Sequence, residues 1–185
     1  MNPDMKLKVC GVKDAAFART AEAGGVDYLG FIFHPKSPRN VDVGHARAVC
    51  TALSGRARRV GVFVTQTAEE IAAVCRDVGL QVVQLHRRAS EADVTALRAF
   101  GFEVWTLAGG AAGDGLLFDS SHGDGETAFR RGPYKAILAG RIGVDNLSDA
   151  LALSPDILDV NSSLETAPGV KSVEKLAAFL AGVRF

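Results

Sequence analysis

The sequence predicts a single (β/α)8 (TIM) barrel domain over residues 1–185, short for its class and lacking a regular fifth helix. Three observations carry this prediction. Short β-type runs alternate with helical patterns along the whole chain, the strand candidates number eight, and residues 108–114 contain three glycines without a helical period. Strand and helix alternation implies parallel strands joined by right-handed crossovers. Eight strands favour a closed barrel over an open sheet, and a lost helix fits a chain shorter than the usual barrel of about 250 residues.

The strand candidates are short β-type runs, three of which end at a polar residue, Cys10, His86 or Asp119. In chain order they occupy residues 6–10, 28–33, 59–64, 82–86, 103–107, 115–119, 134–139 and 157–160. Helical patterns fill most of the intervals, at residues 13–24, 43–54, 67–78, 90–100, 144–153 and 171–181. Several of them carry start signals, because Thr67 with Glu70 forms a capping box and Asp42 and Ser90 can serve as N-caps.

Composition and charge exclude several classes of function. Lys plus Arg and Asp plus Glu both number 21, so the formal net charge is zero and a polyanionic partner is not indicated. The polar N-terminus lacks the apolar stretch of a secretory signal, and no apolar run reaches the roughly 20 residues of a membrane span. We therefore expect a cytoplasmic protein that binds neither nucleic acid nor membrane; its oligomeric state is left open.

The three cysteines divide into two groups. Cys50 and Cys75 each lie on an apolar stripe at helical spacing, which predicts that they pack against the core. Cys10 instead closes a short alternating run just before Gly11, where a strand ends and a loop begins. By position alone, a small buried hydrophobic residue is the simpler interpretation of Cys10.

Polar residues cluster at the carboxyl ends of the predicted strands, which is where barrels of this class carry their catalytic groups. Each has an ordinary alternative: a helix cap or loop salt bridge for the aspartates, a hydrogen-bonded edge residue for His86, and a solvated loop charge for Arg39. Their convergence on one rim favours a site instead. A cavity holding a thiol, a carboxylic acid, an imidazole and an arginine suits proton transfer on an anionic substrate. The rim residues are Cys10, His34, Arg39, His86, Asp119 and Asp159.

Motifs along the whole chain resemble those of the phosphoribosylanthranilate isomerase family, and they occur in the same order. The Pro-Lys-Ser-Pro-Arg block and the Pro-Gly-Val-Lys ending are the most specific. The matching segments are Lys8-Val9-Cys10-Gly11-Val12, Gly30-Phe31-Ile32-Phe33-His34-Pro35-Lys36-Ser37-Pro38-Arg39, Gly61-Val62-Phe63-Val64, Gln84-Leu85-His86, residues 117–120, Leu138-Ala139-Gly140 and Glu165-Thr166-Ala167-Pro168-Gly169-Val170-Lys171.

The resemblance implies a step of tryptophan biosynthesis, the Amadori rearrangement of N-(5-phosphoribosyl)anthranilate from aminoaldose to aminoketose, without a cofactor. By motif match, Cys10 would be the general base that takes the C2 proton, and Asp119 the general acid that protonates the furanose ring oxygen. Arg39 would pair with the anthranilate carboxylate, a contact that suits a guanidinium better than an ammonium. His86 and Asp159 would line the anthranilate side.

The phosphate half of the site departs from the family pattern. Arg87 and Arg141 stand where the family has glycine, and Asn161-Ser162-Ser163 replaces Ser-Ser-Gly after the eighth strand. Asp124 and Glu126 enter a loop expected to close over the phosphorylated sugar, where they would repel phosphate if they faced it. Glycine allows backbone N–H groups to approach a phosphate closely, so the substitutions should weaken that grip. The predicted phosphate-binding residues are Gly140, Arg141, Ser162 and Ser163.

Three functions follow from this mixed pattern. The first is the ordinary isomerase, with Arg141 pairing directly with phosphate in place of backbone contacts. The second is a divergent isomerase or tautomerase for another aromatic amine sugar, one that need not carry a phosphate. The third is a non-catalytic barrel that binds a ligand or a partner. Cys10 and Asp119 count against the third, because a binding module needs neither.

Overall fold

The eight predicted strands form a closed parallel barrel in sequence order, which confirms the predicted fold class. The computed structural model describes residues 4–120 and 128–183. The strands are β1 Lys6–Val9, β2 Tyr28–Phe33, β3 Arg58–Phe63, β4 Val82–Leu85, β5 Glu103–Leu107, β6 Gly115–Asp119, β7 Lys135–Ala139 and β8 Ile157–Val160. Because the barrel closes between β1 and β8, residues from opposite ends of the sequence become neighbours. Lys8 on β1 is directly paired with Asp159 on β8.

Six α-helices surround the barrel within the described residues. They are α1 Ala15–Ala23, α2 Val43–Thr51, α3 Ala68–Val78, α4 Glu91–Ala99, α5 Leu147–Ala152 and α6 Val173–Val183. The predicted helix over 144–153 begins instead as a 3-10 turn, Val144–Asn146. The helix predicted over 171–181 begins only at Val173, because Val170–Lys171 forms a short strand, β10, that pairs with β9, Glu165–Ala167. This hairpin follows β8 and was not predicted.

The predicted helix starts are confirmed. The Thr67 side chain accepts from the Glu70 backbone N–H, and the Glu70 side chain accepts from the Thr67 N–H in return. Asp42 accepts from the His45 backbone N–H at 2.7 Å. Ser90 forms a capping box of the same kind with Asp93 at the start of α4.

The crossover between β5 and β6 contains no helix, as predicted from its glycines. It is a tight loop in which Ala111 N donates to Ala89 O at 2.9 Å and Gly113 N donates to Thr106 Oγ1 at 3.2 Å. A Cβ at position 113 would lie 2.2 Å from Val104 O, so the loop approaches β5 closely enough to require glycine there. The saved helix accounts for part of the short length of the chain.

The described part of the crossover between β6 and β7, residues 128–134, is also non-helical. Aromatic side chains from this segment cover the outer face of β6. Phe129 packs against Phe118 with ring centroids 5.3 Å apart, and the Arg130 guanidinium lies 5.7 Å from the Phe118 centroid. Leu116 and Phe118 are buried beneath these side chains.

The core has two main layers. An outer layer between the strands and the helices includes Cys50 and Cys75, both buried as predicted. An inner layer fills the barrel with Tyr28, Val60, Val82, Trp105, Leu117, Ile137, Ala139 and Ile157. No helix among the described residues is both long and apolar enough to cross a membrane.

Candidate active site

A cavity of about 370 Å³ opens at the carboxyl ends of the strands. All six predicted rim residues line it, together with three of the four predicted phosphate-binding residues. Ser163 is the exception, since its hydroxyl donates to Ile142 O at 2.5 Å and faces a second cavity, of about 320 Å³, beside α6. The predicted residues that line the main cavity are Cys10, His34, Arg39, His86, Asp119, Gly140, Arg141, Asp159 and Ser162.

Cys10 follows β1 directly and is buried at the base of the cavity. Its backbone N–H donates to Val160 O at 2.9 Å, and Gly11, at φ +71, then turns the chain away. A Cβ at position 30 would lie 2.9 Å from Cys10 Sγ, so Gly30 makes room for the thiol. Burial raises the pKa of this thiol above its ordinary value, an effect that the nearby Lys8 ammonium opposes but does not cancel.

Lys8 is a site residue that the sequence analysis missed. Its ammonium is fully buried and lies 2.5 Å from Asp159 Oδ2, in an ion pair whose two members are both buried. Burial lowers the pKa of Lys8, but the charges of Asp159 and Cys10 outweigh that effect and raise it. Burial also raises the pKa of Asp159. The spacing of Lys8 and Cys10 could have identified it, because residues two apart in an extended run have their side chains on the same face.

Arg39 lies in the loop after β2, where a second missed residue holds it. Arg39 Nε and Nη2 donate to the two oxygens of Glu165 at 2.8 and 2.7 Å, a bidentate contact. Glu165 also accepts from Lys171 Nζ at 2.9 Å. The β9–β10 hairpin therefore supplies both the carboxylate that holds Arg39 and the lysine that holds this carboxylate. Glu165 thus occupies the Nε and Nη2 edge of the guanidinium and not its Nη1.

Asp119 is the last residue of β6 and His86 directly follows β4, and both are half-buried. Asp119 and Cys10 open into the same cavity from β6 and β1, strands that β7 and β8 separate. His86 N donates to Phe63 O at 2.8 Å, which fixes its backbone. Below His86, the Gln84 side chain is buried in the wall, and its Oε1 has no hydrogen-bond partner among the described residues.

The predicted phosphate side is formed by the loops after β7 and β8. Gly140 and Arg141 have φ angles of 105° and 52°, so Arg141 adopts a left-handed conformation that favours glycine. Asn146 closes this loop by donating to Arg141 O at 3.2 Å and accepting from Gly143 N at 2.9 Å. The Arg141 side chain is exposed at the cavity rim.

The other departures from the family pattern have separate outcomes. Arg87 makes a bidentate ion pair with Asp93, both bonds at 2.8 Å, and so braces the first turn of α4. Asp124 and Glu126 lie outside the described residues. Within residues 4–120 and 128–183, no cluster of three or more His, Cys, Asp or Glu side chains could hold a metal ion.

Comparisons with known proteins agree on one family. Residues 7–181 match the family model of N-(5′-phosphoribosyl)anthranilate (PRA) isomerase. The N-(5′-phosphoribosyl)anthranilate isomerase of Chlorobaculum parvum is 37% identical over 209 residues, covering 97% of this chain and 95% of that protein. That of Granulibacter bethesdensis is 33% identical over 210 residues, covering 97% and 98%.

Solved structures show the same relation. Phosphoribosyl anthranilate isomerase from Thermus thermophilus superimposes with a TM-score of 0.85 at 34% identity, covering 97% of this chain and 98% of that one. A phosphoribosyl anthranilate isomerase in complex with reduced 1-(o-carboxyphenylamino)-1-deoxyribulose 5-phosphate gives a TM-score of 0.78 at 26% identity, with coverages of 97% and 98%.

Proposed function

This chain belongs to the N-(5′-phosphoribosyl)anthranilate isomerase family, and we propose that it isomerises that substrate with Cys10 as general base and Asp119 as general acid. It is thus an enzyme of tryptophan biosynthesis that acts on a phosphorylated small molecule. The observation that supports the two roles is the placement of a buried thiol and a half-buried carboxyl group on different strands around one cavity. We also propose that residues 1–185 act as one catalytic domain, since the family match extends over residues 7–181.

Before the final tautomerisation, the reaction needs two proton transfers, one to the ring oxygen and one from C2, and both of these atoms are bonded to C1. Asp119 donates a proton to the ring oxygen as the C1–O bond breaks, which leaves a protonated Schiff base between C1 and the anthranilate nitrogen. Cys10 then removes the proton from C2, giving an enolamine that tautomerises to the aminoketone. The net change is an isomerisation, so no cofactor is consumed. Acid and base on separate strands can act from different sides of a bound sugar.

The remaining cavity residues bind the two ends of the substrate. Arg39 contacts the anthranilate carboxylate through Nη1, the edge that Glu165 does not use. His86 and Asp159 line the anthranilate side. Gly140, Arg141 and Ser162 line the phosphate side, where Arg141 supplies the positive charge. Ser163 contributes through the shape of its loop, because its hydroxyl already donates to Ile142 O.

The experiment that tests the two catalytic roles is steady-state turnover by Cys10→Ala and Asp119→Asn, followed by the loss of anthranilate fluorescence. Each substitution should lower kcat at least about 100-fold, since general acid and base catalysis contributes on this scale. Cys50→Ala is the matched control, because Cys50 is buried outside the cavity. Full activity in either site variant would refute the role of that residue.

A further inference from the structure

The side chains of Lys8 and Cys10 share one narrow space inside the barrel. Lys8 is on β1, Cys10 follows two residues later just past its end, and both side chains face the interior. A Cβ at position 30 would lie 2.9 Å from Cys10 Sγ and 3.3 Å from Lys8 Cε, so both side chains pack over the bare backbone of Gly30. The positive charge of Lys8 therefore acts on the sulfur at short range.

Asp159 opposes this charge from the neighbouring strand. Its Oδ2 accepts from Lys8 Nζ at 2.5 Å, and its Oδ1 has no hydrogen-bond partner among the described residues. The carboxylate therefore acts on Cys10 with the sign opposite to that of Lys8. In a buried setting both effects are large, because water screens neither charge.

Other charged groups near Cys10 have smaller effects on it than Lys8 and Asp159. Lys171 on β10 and Arg39 after β2 both act on the sulfur, but both are paired with Glu165. Asp119 on β6 acts on Asp159. Lys8 and Asp159 are the two charges with the largest effects on Cys10.

We infer that Lys8 and Asp159 are positioning residues that set the basicity of Cys10 in opposite directions, with Lys8 favouring the thiolate and Asp159 favouring the thiol. The thiolate is the form that accepts a proton from C2, so Lys8 raises the fraction of enzyme that is ready to react. Asp159 limits that fraction. The catalytic meaning of this inference rests on the proposed role of Cys10 as base, but the charge balance itself does not.

The test is the rate at which iodoacetamide alkylates Cys10 without substrate, measured across pH and assigned to the Cys10 peptide by mass spectrometry. At pH values below the pKa of the thiol, a change of one unit in that pKa changes the alkylation rate tenfold. Lys8→Gln should slow alkylation at a fixed pH about tenfold or more, and Asp159→Asn should accelerate it by a similar factor. Cys50 and Cys75 should react slowly in every variant, because burial raises their pKa values to about 11 and about 12.

The two variants should change the alkylation rate in opposite directions, which a general loss of packing would not do. A variant that merely loosens the barrel would expose Cys10 and raise the rate in both cases, so changes of the same sign would overturn the inference, as would no change in either. Lys8→Gln leaves Asp159 buried without its partner. If that variant does not fold, Lys8→Arg and the double variant Lys8→Gln with Asp159→Asn replace it. The arginine variant should retain the wild-type rate within about threefold, and the double variant should be slower than Asp159→Asn alone by about tenfold; failure of both would overturn the inference.

Two further measurements complete the design. Arg47→Gln removes an exposed ion pair with Asp77 and should leave the alkylation rate of Cys10 unchanged. The pH profile of kcat/KM is then recorded for wild type and Asp159→Asn. If its acidic limb moves with the alkylation midpoint, Cys10 is the base that the pair controls. If alkylation shifts and the profile does not, the charge balance stands and the proposed role of Cys10 fails.

Discussion

At the scale of single residues, Arg141 shows how a substitution can change the chemistry of a loop while keeping its backbone. It holds a φ of 52°, in the left-handed region where a side chain costs about 1 kcal/mol. This is a backbone conformation that suits the glycine that the family pattern expects at this position. The side chain at this position places an exposed guanidinium at the rim of the cavity.

Two substitutions at Arg141 separate the effect of its side-chain charge from the effect of its backbone conformation. Arg141→Ala keeps the strained conformation and loses the charge, so it should raise KM for the phosphorylated substrate about tenfold or more. Arg141→Gly should raise KM less, because glycine allows closer backbone approach, and should raise the free energy of unfolding by up to about 1 kcal/mol. Steady-state kinetics and urea unfolding measure both effects. An unchanged KM in Arg141→Ala would remove the phosphate role of this side chain.

At the scale of elements, the β9–β10 hairpin connects the loop after β2 to the end of β8. Glu165 binds Arg39, Lys171 binds Glu165, and Lys171 also donates to Asn161 Oδ1 at 2.7 Å. Gly169 fits against Pro38, since a Cβ there would lie 2.5 Å from Pro38 O. Burial raises the pKa of Glu165, but Arg39 and Lys171 outweigh this and lower it, which keeps the carboxylate charged. The hairpin thus orients the guanidinium before any ligand arrives.

Glu165→Gln tests this orientation. The amide keeps one oxygen and loses the charge, so Arg39 is held less firmly and KM should rise about tenfold, with kcat changed less than about threefold. The split between KM and kcat distinguishes a binding role from loss of the fold. Glu174→Gln is the matched control, because Glu174 lies on α6 and bonds Ser172 away from the cavity. Equal kinetics in Glu165→Gln and wild type would show that Arg39 needs no such support.

The local parts of the fold were predictable from the sequence, whereas the long-range pairs were not. The caps at Thr67 and Ser90 depend on partners three residues away, and both were predicted. Lys8 was missed because a lysine in an alternating run is ordinarily expected at a solvated face, and its partner Asp159 is 151 residues away. Glu165 was missed for the same reason, since it is 126 residues from Arg39. Strands as short as Val170–Lys171 show no periodicity that a sequence could reveal.

At the scale of the whole molecule, the barrel closes although a tight loop rather than a helix joins β5 to β6. Its stability therefore depends on close backbone contacts that a helix would have made unnecessary. Gly113 is the clearest case, because the space for its side chain is occupied by a backbone oxygen of β5.

Gly113→Ala should lower the free energy of unfolding by about 2 kcal/mol or more, because the added carbon would lie 2.2 Å from Val104 O. Gly44→Ala is the matched glycine substitution, and it should raise the free energy of unfolding. Gly44 lies in α2, and a Cβ there would approach nothing closer than Asp42 Oδ1 at 3.4 Å, so stability should rise by about 0.5–1 kcal/mol. Urea unfolding of both variants checks the pair. If Gly113→Ala left the free energy of unfolding unchanged, the loop would be able to move away from β5 without loss of stability.

The burial of Cys10 also bears on how the enzyme withstands oxidants. Peroxide reacts with thiolates far faster than with thiols, and the first product, a sulfenic acid, can be driven further to irreversible forms. Because burial raises the pKa of Cys10, it lowers the fraction of thiolate that peroxide can attack. The same burial that weakens Cys10 as the proposed base therefore also slows its oxidation.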